Sequence, residues 1–504
     1  MTAQLHVPWQ QAVANLFPGA PVVDQKIILP YGVAETTILR RLGMQVEAPV
    51  LSQYTFTGTR PPFGVQRTTV EMLTMNTHCY VLSGMGVGKT ACPLWAFDYL
   101  RGQQIARKML VVAPLSTLSF TWMAEIFQIM LGRTAVVLHG SRAKRLKLLA
   151  EDHDIYIINH DGIGTIYPEL CAKFGKEDIL TIDELATYRN PGPRTKLMKK
   201  FAERFGWVWG MTGAPTPKEP TDVWNQVNIV TPSRVPKYFG RFREELMYKL
   251  TQFKWAPKEG AAQKAYEVMQ PSVRFTLEDV GELPPYISRR IDVDLGPKQK
   301  HIYEEIRKSC MAIVGNDTVT AANAGVLLSK LLQISLGYVY SEKKGIITLD
   351  NQNRLNTVID LLGSGCGKAL IFTSFKHSLK GVADAVTSAG YHTAIVSGDT
   401  SAAERNRIFD AFQNRDELDN IVAHPQCMAH GITMTAADTV LWFGPHTSLE
   451  IYDQANARIR RTGQKKKQQF LHLQATPAEK KIWSMLIARQ DVQSQLLKLF
   501  EDEM

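Results

Sequence analysis

The stretch Val81-Leu-Ser-Gly-Met-Gly-Val-Gly-Lys-Thr-Ala91 decides the fold that this sequence predicts. A short apolar run enters a glycine-rich turn, and apolar residues at helical spacing follow, so the stretch predicts a strand, a loop and a helix. Glycines let backbone N–H groups approach phosphate oxygens, and a helix N-terminus adds favourable dipole charge. The stretch therefore predicts a phosphate loop. A chance glycine-rich turn is the alternative.

The residues of this loop have separate roles in the predicted site. Lys89 is expected to reach the β- and γ-phosphates of ATP, and Thr90 to ligate Mg²⁺. The backbone of Gly86, Val87 and Gly88 is expected to hold phosphate oxygens. The strict phosphate-loop pattern has glycine at position 83, where this chain has serine, so the match is to a looser form.

Length and composition limit the possible classes of protein. A chain of 504 residues is too long for one hydrophobic core, so two or three domains are expected. The six cysteines are scattered without a Cys-x-x-Cys pair, which favours a reducing compartment and argues against a zinc site. No secretory signal or membrane-spanning stretch is evident, so we expect a cytoplasmic protein. The net charge of +10 favours a polyanionic partner, although solvated surface lysines would give the same charge.

Repeated strand and helix patterns predict an open parallel sheet, whose binding edge lies at the carboxyl ends of the strands. Ser116, Thr117 and Asn159 follow two of these strands and are suited to holding a phosphodiester backbone. Taken singly, each is more simply a helix cap. Gln66, upstream of the phosphate loop, carries an amide that can pair with the edge of adenine.

Two adjacent carboxylates follow another apolar strand. Asp183 suits Mg²⁺ coordination, and Glu184 suits activation of the attacking water. A solvated start of a loop is the alternative. Thr212 places a hydroxyl at the end of the next strand, where a strand followed by a Gly-Pro turn is the simpler reading.

The second half of the chain contains further strand and helix patterns but no second phosphate loop, which predicts a partner lobe. On a helix, Gln454, Arg458 and Arg461 would share one face, where two arginines can act as arginine fingers on the γ-phosphate. A solvated basic helix is the alternative. Between the halves, residues 248–258 interleave aromatic and basic residues, which predicts either a grip on nucleic acid or a half-buried hairpin.

These residues together resemble the superfamily 2 helicase-like ATPases, and within them the Swi/Snf-type double-stranded DNA translocases. The matching segments occur in the order of that family's motifs: Gln66, 85–90, 113–116, Asp183-Glu184, 212–215, 371–375, 398–400 with Arg405, and 454–464. The resemblance implies nucleic-acid contacts by Ser116, Thr117, Asn159, Ser374 and Arg405, and coupling roles for Thr212 and Gln464.

The resemblance implies an α/β fold with two RecA-like lobes built on parallel sheets, at 57–225 and 346–475. Residues 226–345 are expected to form a helical insertion and linker, and 476–504 a brace helix. Residues 1–56 are expected to form a small accessory module without a core of its own.

The resemblance also implies a function. We expect a monomeric, Mg²⁺-dependent and DNA-stimulated ATPase that translocates on double-stranded or branched DNA. The compact chain resembles the small stand-alone bacterial or phage members of the family. This resemblance implies a location in the nucleoid or in the host cytoplasm. A strand-separating DNA or RNA helicase stays an alternative. A non-hydrolysing nucleic-acid-binding scaffold is another, because the segment 424–438 keeps only one of the family's several glycines, Gly431.

Overall fold

The computed structural model describes residues 3–216, 219–252, 254–281, 283–316, 321–341, 345–428 and 433–488. Two compact units divide the chain, residues 1–280 (unit 1) and 281–504 (unit 2). Their boundary lies inside the segment 226–345 that the sequence predicts as an insertion and linker. The five-part division of the chain stays a prediction.

An N-terminal module begins unit 1. Its three strands form an antiparallel sheet in the order β1-β3-β2. The expectation that it lacks a core is wrong, because Val7, Val13, Ile27, Leu29 and Leu39 form a buried apolar cluster there. The elements of the module are β1 (Gln4–Pro8), α1 (Gln11–Leu16), β2 (Val22–Val23), β3 (Lys26–Pro30), α2 (Val33–Arg41) and α3 (Pro49–Gln53).

The rest of unit 1 is built on a seven-stranded parallel sheet in the order β12-β4-β9-β8-β5-β7-β6. Successive residues of a strand face opposite sides of a sheet. Accordingly Leu110 and Val112 of β5 enter one buried cluster, and Met109 and Val111 enter the other. Both faces of the sheet are therefore covered. The elements are α4 (Gly64–Met75), β4 (His78–Val81), α5 (Ala91–Gly102), β5 (Met109–Ala113), α6 (Ala124–Ile129), β6 (Ala135–Val137), α7 (Arg142–Ala150), β7 (Ile155–Asn159), α8 (Gly162–Thr165), α9 (Tyr167–Lys173), β8 (Ile179–Ile182), α10 (Pro193–Ala202), β9 (Trp207–Met211), α11 (Val223–Val230), α12 (Phe239–Leu246), β10 (Met247–Lys249), β11 (Trp255–Pro257), α13 (Ala261–Val268) and β12 (Ser272–Val273).

Unit 2 contains a six-stranded parallel sheet in the order β13-β20-β19-β16-β18-β17 and a separate antiparallel hairpin, β14–β15. The sequence predicts four of the six strands and misses β13 and β20. The elements are β13 (Tyr286–Asp292), α14 (Pro297–Asn316), α15 (Ala321–Ser335), β14 (Tyr338–Ser341), β15 (Gly345–Thr348), α16 (Gln352–Gly363), β16 (Lys368–Phe372), α17 (Lys376–Ser388), β17 (Thr393–Val396), α18 (Ala402–Gln413), β18 (Asn420–Ala423), β19 (Ala437–Trp442), α19 (Leu449–Asn456), β20 (Gln468–Gln474) and α20 (Pro477–Ile487).

The predicted α/β fold of two RecA-like lobes on parallel sheets is confirmed. In unit 2 a buried ion pair joins α16 to α20, since Arg354 Nη2 lies 2.9 Å from Glu479 Oε2 and both side chains are almost fully enclosed. Residues 489–504 of the predicted brace helix lie outside the described residues. Among the described helices, none combines the length and the apolar character needed to cross a bilayer.

Candidate active site

The phosphate loop joins β4 to α5 at the carboxyl edge of the unit 1 sheet. Gly86 and Gly88 have φ values of 80° and 73°, a left-handed conformation that glycine adopts without steric penalty. Ser83 takes the position of the expected glycine, and its hydroxyl accepts a hydrogen bond from Phe275 N at 3.1 Å. A second bond, from Gly84 N to Phe275 O at 2.7 Å, pins the start of the loop to the segment after β12. The serine is therefore a structural anchor of the loop.

Gln66 braces the same loop from α4. Its side chain is buried; Oε1 accepts from Phe63 N at 2.9 Å, and Nε2 donates to Gly88 O at 2.9 Å. A primary amide has a second N–H and a second oxygen lone pair. The predicted contact with adenine would have to use these remaining positions, and it stays a prediction.

Asp183 and Glu184 follow β8. Trp122 Nε1 donates to Asp183 Oδ2 at 3.1 Å, and Glu184 N donates to Asp183 Oδ1 at 3.1 Å. Burial raises the pKa of Asp183, whereas the nearby Lys89 and these two hydrogen bonds act to lower it. Glu184 has a left-handed backbone with a φ of 51°. The carboxylate of Asp183 is thus held in one orientation beside a cation.

Sequence reasoning missed the roles of Trp122 and Ser83. Trp122 lies in a π-helical turn, Leu118–Met123, a local geometry that often occurs at functional sites. An apolar helical pattern gives no sign of a bond to a carboxylate 61 residues away. The departure of Ser83 from the strict glycine pattern was the one signal that pointed to an additional contact.

The Thr212 loop completes this edge of the sheet. Because β9 lies between β4 and β8, the loops after all three strands are neighbours. Thr212 N donates to Val81 O at 3.0 Å, and Thr212 Oγ1 accepts from Ala214 N at 3.3 Å. A Cβ atom added to Gly213 would lie 3.5 Å from Lys89 Nζ. The structure therefore brings the phosphate loop, the carboxylate pair and the Thr212 loop together within unit 1.

The residues at this edge suit Mg²⁺. Mg²⁺ commonly takes one or two protein oxygens and completes its shell with water and substrate phosphates. Asp183 offers a partly desolvated carboxylate, and the hydroxyl of Thr90 makes no capping bond at the start of α5. The described residues contain no group of three or more His, Cys, Asp or Glu side chains arranged for a metal. The fit therefore rests on Thr90 and Asp183.

The predicted nucleic-acid contacts of unit 1 follow the next two strands at the same edge. Both donors of Thr117, its N–H and its hydroxyl, point to Pro114 O at 3.0 and 2.9 Å. Asn159 Oδ1 accepts from both terminal nitrogens of Arg145 at 3.2 Å, so its amide nitrogen is the group suited to a phosphate. Ser116 is half-buried. Their contact with nucleic acid stays a prediction.

The corresponding residues of unit 2 lie at the carboxyl edge of its own sheet. Ser374 follows β16, and its hydroxyl donates to Pro445 O at 3.2 Å. Arg405 lies on α18 and is half-buried. Burial raises the pKa of the Cys427 thiol, and the charge of Arg405 acts to lower it. Gly431 lies outside the described residues.

The helix predicted to carry the arginines ends earlier than expected. The prediction that Gln454, Arg458 and Arg461 share one face of a helix is wrong, because α19 ends at Asn456. The chain then tightens into successive turns, with short-range bonds such as Arg458 N to Ala455 O at 3.2 Å. The side chain of Arg458 folds back, and its Nε donates to Gln454 O at 2.8 Å.

Arg461 and Gln464 follow in these turns. Arg461 is half-buried, and its carbonyl accepts from Gln464 N at 3.1 Å. Gln464 is buried, and its Nε2 donates to Ala437 O at 2.9 Å and Ile459 O at 3.2 Å. Gln464 thus fastens the arginine-bearing turns to β19.

We expect Lys89→Ala to lower ATP turnover by about 10²–10³-fold, because it removes a charged donor from the transferring phosphoryl group. The chain has no second phosphate loop to substitute for it. The measurement is steady-state ATP hydrolysis, with thermal unfolding as the check on folding. Lys108 offers a matched lysine variant, since its ammonium pairs with Asp152 at 2.5 Å at the far end of β5. Unchanged hydrolysis in Lys89→Ala would contradict the assignment of the nucleotide site.

Comparison with known proteins gives two family matches. Residues 66–349 match the SNF2-related domain, and residues 353–463 match the helicase conserved C-terminal domain. The first match alone covers more than half of the chain.

Individual relatives are distant in sequence. The putative protein p41 of Acyrthosiphon pisum secondary endosymbiont phage 1 is 26% identical over 76% of this chain and 85% of its own length. The chromodomain-helicase-DNA-binding protein 1-like of Mus musculus is 24% identical over 86% of this chain and 49% of its own. An uncharacterized ATP-dependent helicase of Mycoplasma pneumoniae is 24% identical over 82% of this chain and 39% of its own. The chain thus spans less than half of the last two proteins.

Among solved structures, the SWI2/SNF2 ATPase core of Sulfolobus solfataricus in complex with dsDNA is similar to this chain. It is 21% identical, with 88% of this chain and 96% of that chain covered and a TM-score of 0.42.

Proposed function

Since this chain belongs to the SNF2-related family and is an ATP-hydrolysing, helicase-like enzyme, we propose that it is a DNA-stimulated ATPase that translocates on double-stranded DNA. One observation carries the proposal. Across the unit 1 sheet, β4, β9 and β8 lie side by side, and the loops after them form the nucleotide site. The next two strands across the sheet are β5 and β7, and Ser116 and Asn159 lie at their carboxyl ends. ATP chemistry and the proposed backbone contacts therefore share one edge of one sheet.

In the proposed mechanism each residue has one task. Lys89 and the loop backbone bind the phosphates of ATP, and Glu184 accepts a proton from the attacking water. Thr90 and Asp183 would hold Mg²⁺, which would neutralise charge on the phosphates. Gln66 contacts adenine from its place beside Gly88.

Unit 2 completes the proposed cycle. Arg458 and Arg461 stabilise the charge that develops on the γ-phosphoryl group. Thr212 and Gln464 couple the change from the ATP-bound to the product-bound state to the contacts with DNA. Closure on ATP moves the contacts made by Ser374 and Arg405 along the DNA relative to those made by unit 1, and hydrolysis resets them.

The proposed contacts suit a phosphate backbone more than base edges. Hydroxyl, amide and guanidinium groups position a protein on a duplex without reading its sequence. The net charge of +10 favours binding that is driven by release of counterions. A site of action in the bacterial nucleoid or a phage host's cytoplasm is part of this proposal, and the likeness to a phage protein supports it.

We expect duplex DNA to stimulate ATP hydrolysis strongly and RNA to do so little, and we expect the stimulation to fall steeply with salt. Each phosphate that the protein neutralises adds about 0.9 to the slope of log affinity against log salt. The measurement is the ATPase rate against duplex concentration over a series of salt concentrations. The rate without DNA at each salt concentration is the control. A salt-independent DNA response would contradict backbone-driven binding.

Movement on DNA needs a separate assay. Displacement of a third strand from a triplex, without separation of a forked duplex, is the expected result. Separation of the fork, or stronger stimulation by RNA than by duplex DNA, would favour a strand-separating helicase instead.

A further inference from the structure

Two cations and three aromatic rings form a row in unit 1, among residues to which the proposed mechanism gives no task. The guanidinium carbon of Arg243 lies 4.2 Å from the ring centroid of Trp255 and 5.5 Å from that of Phe239. Phe239 meets Trp224 edge to face at 5.5 Å, and Lys199 Nζ lies 4.4 Å over the Trp224 ring. We call these five residues the cation–aromatic row.

Arg243 is held by rings rather than by a carboxylate. Phe239 and Arg243 are four residues apart on α12, so they share one face of that helix. Within the described part of the chain, Arg243 has no ion pair, and its buried Nε has no hydrogen-bond partner. A stacked guanidinium keeps its terminal nitrogens in a fixed plane, a geometry that suits a phosphate group.

The row continues into a basic hairpin formed by β10 and β11. Trp255 begins β11, and opposite it Lys249 is exposed at the end of β10. Tyr248 and Leu250 are 49% and 51% exposed. The segment 246–258 contains three lysines and no carboxylate, and Glu244, Glu245 and Glu259 flank it. Successive residues of a strand face opposite sides, so Lys249 shares a face with Trp255 and Tyr248 lies on the other face. The hairpin therefore offers an exposed ring on one face and an ammonium group on the other. Phe253 lies outside the described residues.

We propose that the cation–aromatic row and this hairpin bind an unpaired segment of DNA, such as a single-stranded arm at a branch. Exposed aromatic rings stack on bases that are free of a duplex, and lysines alongside track the phosphates. A duplex keeps its bases stacked inside and would leave the ring of Tyr248 unused. The inference rests on the proposed function and narrows its substrate to branched DNA.

One helix connects this surface with the nucleotide site. Trp224 of the row lies on α11, where the next residue, Asn225, accepts from Lys199 Nζ at 2.9 Å and donates to Arg189 O at 2.8 Å. Gln226 donates to Pro215 O at 2.7 Å. Arg189 and Pro215 lie shortly after Glu184 and Thr212, in the segments that follow β8 and β9. A ligand that reorients Lys199 therefore acts on Asn225, and Asn225 also binds the segment that follows the proposed catalytic carboxylates.

The test measures affinity of the full chain, without nucleotide, by fluorescence anisotropy. The probes are a thymidine oligonucleotide, a uridine oligonucleotide of equal length and a blunt duplex. We expect Tyr248→Ala combined with Lys249→Ala to weaken binding of the thymidine oligonucleotide about tenfold, since loss of stacking on one base alone has an effect of that order. Blunt-duplex affinity should fall less than about threefold. Tyr248→Phe keeps the ring and should bind all three probes within about twofold of the unchanged chain.

Three results would overturn the inference: unchanged affinity for the thymidine oligonucleotide, equal losses for it and the blunt duplex, or a loss confined to the uridine oligonucleotide. Unchanged DNA affinity would leave an acidic protein partner as the occupant of this surface. Because the assay contains no ATP, its outcome is independent of translocation. Absence of duplex-stimulated hydrolysis in the unchanged chain would instead contradict the proposed function alone. Both substituted side chains are exposed, so their loss leaves the apolar core intact.

Discussion

Arg461→Ala in the full chain is expected to lower DNA-stimulated ATP turnover by about 10³–10⁵-fold, the range found for arginine fingers in phosphoryl transfer. The guanidinium group stabilises charge that develops only in the transition state, so affinity for ATP should change far less than the rate. Arg458 donates to Gln454 O within unit 2, so Arg458→Ala would remove a structural contact as well as a charge. Single-turnover hydrolysis and equilibrium binding of ATP separate the two quantities.

The neighbouring Arg460 provides a matched control. Its guanidinium carbon lies 4.0 Å from the ring centroid of Tyr286 in unit 2, a cation–π contact. Arg460→Ala removes the same charge one residue away and should keep the rate within about tenfold. An equal loss in both variants would mean that the turns after α19 have lost their structure. Full activity of Arg461→Ala would contradict its role as an arginine finger.

Patterns that are local in sequence predicted most of the fold. The strands β4, β5, β7, β8 and β9 are buried, or nearly so, along their whole length and bounded by turns, so their apolar runs stand out. β20 was missed because three glutamines and one histidine interrupt its apolar residues, so it has neither a continuous apolar run nor a regular alternation. His472 is fully buried there, bonded to Tyr452 at 2.9 Å and to Arg289 O at 3.2 Å, and burial lowers its pKa to about 4. β13 was missed because, as an edge strand, it is mostly exposed.

The candidate site divides in the same way. Gly86, Lys89 and the carboxylate pair carry a local signature, and the structure brings their loops to one edge of the sheet. The contacts that hold the site in place join residues far apart in sequence, such as Ser83 and Phe275. One sequence alone does not reveal which of these residues pair. The sequence also did not predict where α19 ends. The residues after Asn456 continue an amphipathic pattern, but their backbone hydrogen bonds join residues that are closer in sequence, as in turns.

The backbone at Glu184 offers a direct test of its role. Its φ of 51° lies in the left-handed region, where a residue with a Cβ atom costs roughly 1–2 kcal/mol. Glycine would adopt this conformation without that cost. The left-handed backbone at Glu184 favours a functional role for its carboxylate, because strain of this kind concentrates at functional sites.

Glu184→Gln is therefore expected to bind ATP normally and to hydrolyse it about 10²–10⁴-fold more slowly, since the amide cannot accept the proton of the attacking water. Glu184→Gly relieves the left-handed backbone and should hydrolyse ATP as slowly as Glu184→Gln. Glu177→Gln makes the same chemical change on a side chain that is 79% exposed, and it should leave hydrolysis unaffected. The measurements are single-turnover hydrolysis, ATP affinity and the melting temperature. A turn residue without catalytic function predicts a Glu184→Gly variant that hydrolyses ATP at the normal rate. Loss of ATP binding in Glu184→Gln would likewise assign the residue a structural role.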